Sequence, residues 1–220
     1  MKKISQEIIG QYKKLDSTSI SDALDRLGIP GGFYGIKGIN SGIKMCGQAF
    51  TVRYVPCGIT KGTVGDFLDD VESGQVCVLD NGGRDYCTVW GDIMAFYASQ
   101  KGIEGTVIDG VCRDIMTIKT IKYPIFTKGY YMVTGKDRVE VAEIGEPISV
   151  SGVKVCPDDL IFGDDTGALA IPFEKIEQVL EIAMEIELKE EEIRGFLKQG
   201  MTLRDARTKV GYHQLQTKKS

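Results

Sequence analysis

The chain has 220 residues, 42% of them hydrophobic, and carries a formal net charge of -4. That apolar mass supports a sizeable core, and no Pro-, Ser- or charge-rich linker interrupts it, so one domain over residues 1–220 is expected. No basic stripe is present beyond the final Lys218-Lys219, which gives nucleic acid no electrostatic footing, and no long apolar run follows Met1-Lys2-Lys3 to make a leader or a membrane span. These features lead to the expectation of a soluble, cytoplasmic protein without membrane or nucleic-acid partners.

In chain order, the first punctuated helix is Ser19 to Leu27. Thr18 or Ser19 is placed to cap it, and Gly28 and Pro30 to stop it. A Gly-rich loop follows over Pro30 to Gly35, then a strand over Gly47 to Val55. Two short β-branched runs, Val76 to Asp80 and Gly105 to Asp109, read as buried strands. The stretch Asp92 to Lys101 between them reads as a helix closed by Gly102. Strand, helix, strand predicts a βαβ unit with parallel strands, both ending in Asp before a loop, where open α/β sheets place their ligands. Beyond Pro124-Ile125-Phe126 the pattern turns β-rich, with short strands at 138–144, 148–150 and 167–171. A long helix is expected from about Phe173 to Gln199. Its apolar positions Ile176, Val179, Leu180, Ala183 and Ile186 share one face, and its second half is acidic. Residues 201–220 read as a tail. No repeat or low-complexity segment is present.

The six cysteines, Cys46, Cys57, Cys77, Cys87, Cys112 and Cys156, are dispersed and form no CxxC pair. Apolar neighbours mark most of them as buried free thiols, and the clustered ligands of a zinc site are absent. The single histidine, His213, lies in the tail. A Ser-His-Asp or Cys-His hydrolase needs a base held beside its nucleophile, which this position does not offer. Acid–base or metal chemistry must therefore come from carboxylates, Arg, Lys, Tyr or water.

The stretch that carries such chemistry runs from Trp90 to Asp114. In a βαβ unit, the loop entering the helix and the loop leaving the next strand can meet at one end of the sheet. That would bring Asp92 near Arg113-Asp114. Two carboxylates suit a hard divalent ion, Mg²⁺ or Mn²⁺. The guanidinium fork suits a carboxylate or a developing enolate oxygen. The helix N-terminal N–H groups of Gly91, Asp92, Ile93 and Met94 could hold a second anionic group. Taken alone this signal is weak: a helix cap and a surface ion pair are the plain reading of these residues, and a solvated face that of the glutamates of the last helix.

Several segments carry a family resemblance. They are Trp90-Gly91-Asp92, Gly105 through Asp114, Pro124-Ile125-Phe126, Ser21-Asp22-Ala23-Leu24, Gly47 through Val52, and Asp165 through Pro172. Together they resemble the RraA-like family of class II pyruvate aldolases, which act on 4-hydroxy-4-methyl-2-oxoglutarate or 4-carboxy-4-hydroxy-2-oxoadipate. Aldolase members share an Asp, twenty intervening residues and Arg-Asp, a spacing that Asp92 and Arg113-Asp114 meet. The resemblance implies an α/β/α sandwich of the swivelling phosphohistidine-domain type, although His213 is unsuited to carry a phosphoryl group. It implies that Asp114 binds Mg²⁺ or Mn²⁺ directly, that Asp92 reaches the metal through water, and that Arg113 stabilises the pyruvate enolate. It also implies that the amides of Gly91 to Met94 hold the pyruvyl carboxylate. A glutamate of a neighbouring subunit, Glu187 or alternatively Glu190, would complete the outer shell within a homotrimer or hexamer.

The expected reaction is retro-aldol cleavage of a 4-hydroxy-2-oxo acid to pyruvate, with oxaloacetate decarboxylation as a side activity. Two alternatives stand beside it. One is a non-catalytic ribonuclease regulator, a type that lacks the acid after the Arg. The other is a metal-dependent lyase or isomerase acting on a sugar acid. A Schiff-base aldolase ranks below these, since no lysine sits inside an obvious buried strand. Thr117 stands where the aldolase pattern often places a further acid, and Pro157-Asp158-Asp159 replaces a common Pro-Gly-Asp turn.

Overall fold

A computed structural model describes residues 3–212. Helices α1 (Gln6–Tyr12) and α2 (Ser17–Leu27) lead into β1 (Lys37–Gly38) and the long β2 (Met45–Pro56). The βαβ unit follows as β3 (Gln75–Thr88), α3 (Asp92–Gln100) and β4 (Gly105–Cys112). Then come α4 (Ile115–Ile121), β5 (Ile125–Tyr130), β6 (Val139–Ile144), β7 (Ile148–Val150), β8 (Val153–Val155), β9 (Leu160–Asp164) and β10 (Gly167–Ile171). The chain ends in α5 (Ile176–Lys198) and α6 (Leu203–Val210).

One sheet runs in the order β1-β5-β4-β3-β2-β9-β10, with β6 added along the second half of β2. Its centre, β2 to β5, is parallel, as the βαβ reading requires. Strands β1, β6, β9 and β10 pair antiparallel around it. Side-chain alternation sorts the core into layers. Cys77, Leu79 and Ile108 face Ala95 and Ala98 of α3 and Ile118 of α4. Leu160, Phe162, Leu169 and Ile171 face α1, α2 and α5. Those two clusters lie on the same face of the sheet, because Cys46 and Val52 have the same parity on β2.

The opposite face, carrying Val76, Val78, Val107 and Ile161, is covered by the β7–β8 hairpin and by Phe33 and Ile36. The layering therefore departs from the expected α/β/α sandwich, since a β-hairpin takes the place of the second helical layer. A buried carboxylate fixes that hairpin. Asp109 Oδ2 accepts from Ser151 N at 2.9 Å, where Ser151 turns the hairpin at φ 48°. Its other oxygen lies beside Lys128 Nζ.

Other local expectations also shift. Helix α2 is capped at Asp16, not Thr18 or Ser19, while Gly28 ends it at φ 68° as expected. Asp80 and Asp109 do not end their strands. They are register partners in mid-ladder, and β3 continues to Thr88. The expected tail holds a helix, α6, capped by Thr202 Oγ1 accepting from Asp205 N at 3.2 Å. His213 and the remaining tail lie outside the described residues. No described helix is long and apolar enough to cross a membrane.

Candidate active site

The site forms where β3 and β4 run out. Two register shifts in their ladder, between Asp80 and Arg84 and between Arg84 and Thr88, take up the extra residues of β3. Gly82 and Gly83, at φ 60° and 68°, make the first of these turns. Beyond them, Val89-Trp90-Gly91 lies alongside the end of β4, and Arg113 N donates to Trp90 O at 3.1 Å. Trp90 anchors this approach: it is buried and stacks on Tyr123 at 6.1 Å between ring centroids. The chain then enters α3 through Gly91, the N-cap, and Asp92 is the first helical residue.

The three residues singled out by sequence meet here. Asp114 Oδ2 accepts from Asp92 N at 3.2 Å and lies 3.2 Å from Arg113 Nε. Asp92 Oδ1 accepts from Ile93 N at 2.8 Å. Two of the four amides expected to bind an anion are thus already met by carboxylate oxygens, so this helix N-terminus attracts negative groups as its dipole and exposed N–H groups dictate. Gly91 is required for the approach. A Cβ there would stand 2.7 Å from Asp114 Oδ2 and 3.2 Å from Arg113 Nε.

Capping of its own helix does not explain Asp114. It precedes α4, yet its side chain makes no capping hydrogen bond, and its backbone is left-handed at φ 60° and ψ 37°. That conformation costs an L-residue about 1–2 kcal/mol, and Asp tolerates it mainly where local bonding compensates. Here the backbone turns the carboxylate away from its own helix and towards Arg113 and the start of α3. The surface ion pair expected as the plain alternative is present, but it is built into a strained corner shared by two loops.

A cavity of about 350 Å³ adjoins the pair, lined by Arg113, Asp114, Ile115, Tyr130, Tyr131 and Met132. The register partners Cys112 and Tyr130, and the bond from Tyr131 N to Cys112 O at 3.0 Å, bring these three residues alongside. Sequence reasoning missed them, because consecutive apolar residues at a strand end carry no periodic signature. Cys112, next to Arg113, is buried, which disfavours its thiolate. Burial pushes its thiol up to about 12. All six cysteines are free, and Cys46, Cys77, Cys87 and Cys112 are buried, as expected. A larger cavity of about 740 Å³ lies elsewhere, between the start of α2 and β10. It is lined by Ser21 and Asp22 among others and does not reach Arg113 or Asp114.

Glu187 and Glu190 do not join this site within one chain. Both lie on α5, and Arg194 gathers them, Nη2 at 2.8 Å from Glu187 and Nη1 at 3.4 Å from Glu190. Thr117 is an exposed residue in the first turn of α4. Among the described residues no group of three or more His, Cys, Asp or Glu side chains converges as a complete metal cage.

The sequence profile of the RraA-like family, described as Aldolase/RraA, matches residues 17–170. The chain belongs to this family. It is 40% identical over 211 residues to protein DlpA of Legionella pneumophila, an alignment covering 94% of this chain and 34% of DlpA. The chain thus spans about a third of that relative's length. It is 34% identical over 177 residues to a Halalkalibacterium halodurans protein named "Putative 4-hydroxy-4-methyl-2-oxoglutarate aldolase", covering 80% of this chain and 82% of the relative. The crystal structure of an uncharacterized protein from Pseudomonas syringae pv. tomato superposes with a TM-score of 0.88 at 39% identity, covering 94% of this chain and all of that one.

Proposed function

We propose that the chain is a divalent-metal-dependent carbon–carbon lyase that cleaves a 4-hydroxy-2-oxo acid to pyruvate and a carbonyl compound. The observation that carries this reading is the Asp114 carboxylate. A strained backbone holds it against Arg113 and the first amide of α3, and it makes no capping bond to its own helix, α4. The similarity to a relative named for 4-hydroxy-4-methyl-2-oxoglutarate cleavage supports the same chemistry.

The donor set fits a hard cation. Mg²⁺ commonly takes one or two carboxylates and completes its shell with water and substrate oxygens, so a full protein cage is not required. Asp114 would bind such an ion directly and Asp92 through water, with Glu187 or Glu190 of a neighbouring subunit in the outer shell. When bound, the ion supplies Lewis-acid polarisation of the 2-oxo group.

The chain's own residues account for the rest. The Arg113 fork holds the oxo acid at its keto oxygen, and the amides of Gly91 to Met94 hold its carboxylate, those of Asp92 and Ile93 once the Asp114 and Asp92 carboxylates turn from them. Asp92 positions a water that takes the C4 hydroxyl proton. The C3–C4 bond breaks, C4 becomes a carbonyl, and the bond's electrons pass into the pyruvate enolate. Arg113 faces the oxygen on which that charge develops, where a preorganised donor contributes most. Protonation at C3 gives pyruvate. Oxaloacetate, losing CO₂ through the same enolate, is the expected side substrate.

The test is pyruvate release from 4-hydroxy-2-oxo acids before and after chelation with EDTA. The reading predicts that EDTA abolishes release and that Mg²⁺ or Mn²⁺ restores it. Full activity in metal-free protein would overturn it.

A further inference from the structure

We infer that Thr127 is a positioning residue of this site: its hydroxyl fixes the path of β4 beyond Gly110, and so the place of the Arg113–Asp114 pair. The inference rests on the lyase reading above and adds to it a side chain that itself meets neither metal nor substrate.

Strand β4 loses its regular ladder on both sides at one level. Towards β3, Asp109 pairs with Asp80, and the register then shifts so that Gly110 meets Arg84. Towards β5, Ile108 pairs with Thr127 and the register resumes with Val111 opposite Gly129, so Asp109 and Gly110 face the single residue Lys128. Two residues against one make a bulge, which is rare between parallel strands and re-aims the chain that follows it. An unbroken register would set Cys112 opposite Tyr131; the bulge sets it opposite Tyr130. Arg113 and Asp114 come directly after.

A bulge takes backbone groups out of the ladder, and every residue of β4 is buried, so those groups need other partners. Thr127, itself buried, shares its hydroxyl hydrogen between Gly110 O at 2.9 Å and Gly129 O at 3.1 Å. One side chain thus ties the bulged part of β4 to the point where β5 resumes. On the β3 side, a Cβ added to Gly110 would stand 3.0 Å from both Arg84 O and Asn81 Nδ2. Gly110 is therefore held between the β3 turn and the Thr127 hydroxyl. Three residues on, the corner depends on close contacts, Arg113 N to Trp90 O at 3.1 Å and Asp92 N to Asp114 Oδ2 at 3.2 Å. Without the hydroxyl, the buried Gly110 carbonyl must turn to find another donor, and the peptides leading to Asp114 turn with it. A misplacement of about 1 Å at reacting groups can cost about 100-fold in rate.

The experiment compares Thr127→Val, which keeps the shape and loses the hydroxyl, with Thr127→Ser, which keeps the hydroxyl. The control is Thr106→Val, which removes a buried hydroxyl near the start of β4, 3.0 Å from Tyr123 Oη and away from the bulge. The readouts are the Kd for Mn²⁺ by electron paramagnetic resonance, the melting temperature, and kcat for pyruvate release from 4-hydroxy-4-methyl-2-oxoglutarate and from oxaloacetate. Thr127→Val should weaken Mn²⁺ binding and lower kcat by about 10-fold or more each, the scale set by residues that orient a metal ligand. Thr127→Ser should restore most of both. Thr106→Val should melt lower and bind Mn²⁺ as the wild type does. Should Thr127→Val not fold, Thr127→Cys under reducing conditions substitutes a weak donor and should show the same losses in smaller degree. Wild-type Kd and kcat in the folded variant overturn the inference, as does a Kd that moves equally in Thr106→Val, or a Ser variant no better than the Val one. In each of those cases a wild type that binds Mn²⁺ and releases pyruvate leaves the lyase reading standing. A wild type that neither binds Mn²⁺ nor releases pyruvate from either substrate overturns the lyase reading, and the inference with it.

Discussion

At the scale of single residues, the site depends on close approach and on a planar cation. Arg113→Lys keeps the charge and loses the fork, so kcat should fall at least about 100-fold, as when an oxyanion donor is removed. The control is Arg84→Lys. Arg84 bonds the Asn81 carbonyl at 2.7 Å, a contact that a lysine amine can still make, so activity should be largely kept. If the two variants lost activity equally, Arg113 would have no special role. Gly91→Ala tests the packing of the corner, since its methyl group would meet Asp114 Oδ2 at 2.7 Å. The carboxylate must move, and activity should drop by about 10-fold or more with the fold intact, in line with the cost of disturbing an orienting group. Unchanged kinetics and unchanged circular dichroism would show that the carboxylate's position does not matter.

At the scale of elements, a second buried carboxylate joins α2 to the β9–β10 turn. Asp164 Oδ2 accepts from Ser17 N at 2.8 Å, and Oδ1 accepts from Ser17 Oγ at 2.7 Å and Thr166 N at 2.9 Å. Burial alone would raise its pKa, but the bonds from Ser17, Thr166 and Gly167 outweigh burial and lower it. A lowered folded-state pKa contributes stability above the unfolded value of about 3.9, and that stability is lost as pH falls through the folded value. Asp164→Ala should cost about 1–3 kcal/mol at pH 7 by leaving these donors unpaired. The gap to wild type in urea unfolding should narrow below about pH 4. A gap that stayed constant down to pH 2 would contradict this role. The elements differ in how plainly the sequence announces them. The βαβ unit was legible, because β-branched runs flank a helix entered through Gly91-Asp92. Helix α5 was legible from its apolar spacing. The hairpin layer was not, since Ile148–Val150 and Val153–Val155 are too short for alternation to say which face they cover. The length of β3 was hidden because Gly82-Gly83 reads as a turn ending a strand, whereas here it makes a bulge within one. Helix α6 buries only Ala206 and shows no apolar stripe, yet its Thr202 and Gly211 caps were readable signals.

At the scale of the whole molecule, the proposed site takes in a second copy of the chain. Glu187 and Glu190 lie on α5, which packs against α2 and the β9–β10 end of the sheet, while Arg113 and Asp114 follow β4. Met184 and Leu188 of the same helix stand exposed, as suits a face that meets a neighbour. A trimer or hexamer is expected, with one of these glutamates serving the adjacent site and worth about 10–100-fold in activity. Mixing Asp114→Ala protein with a Glu187→Ala,Glu190→Ala variant under subunit exchange should restore activity. A fully active monomer in sedimentation would contradict the shared site. The central claim, that the fold holds the Asp114 carboxylate in a strained corner for chemistry, has a more direct test in Asp114→Gly. Glycine relieves the left-handed backbone, so the melting temperature should equal or exceed that of the wild type. Pyruvate release with Mg²⁺, measured on the same sample, should vanish. A variant that melts no lower and still releases pyruvate at the wild-type rate would show that the carboxylate is not what this corner is built to present.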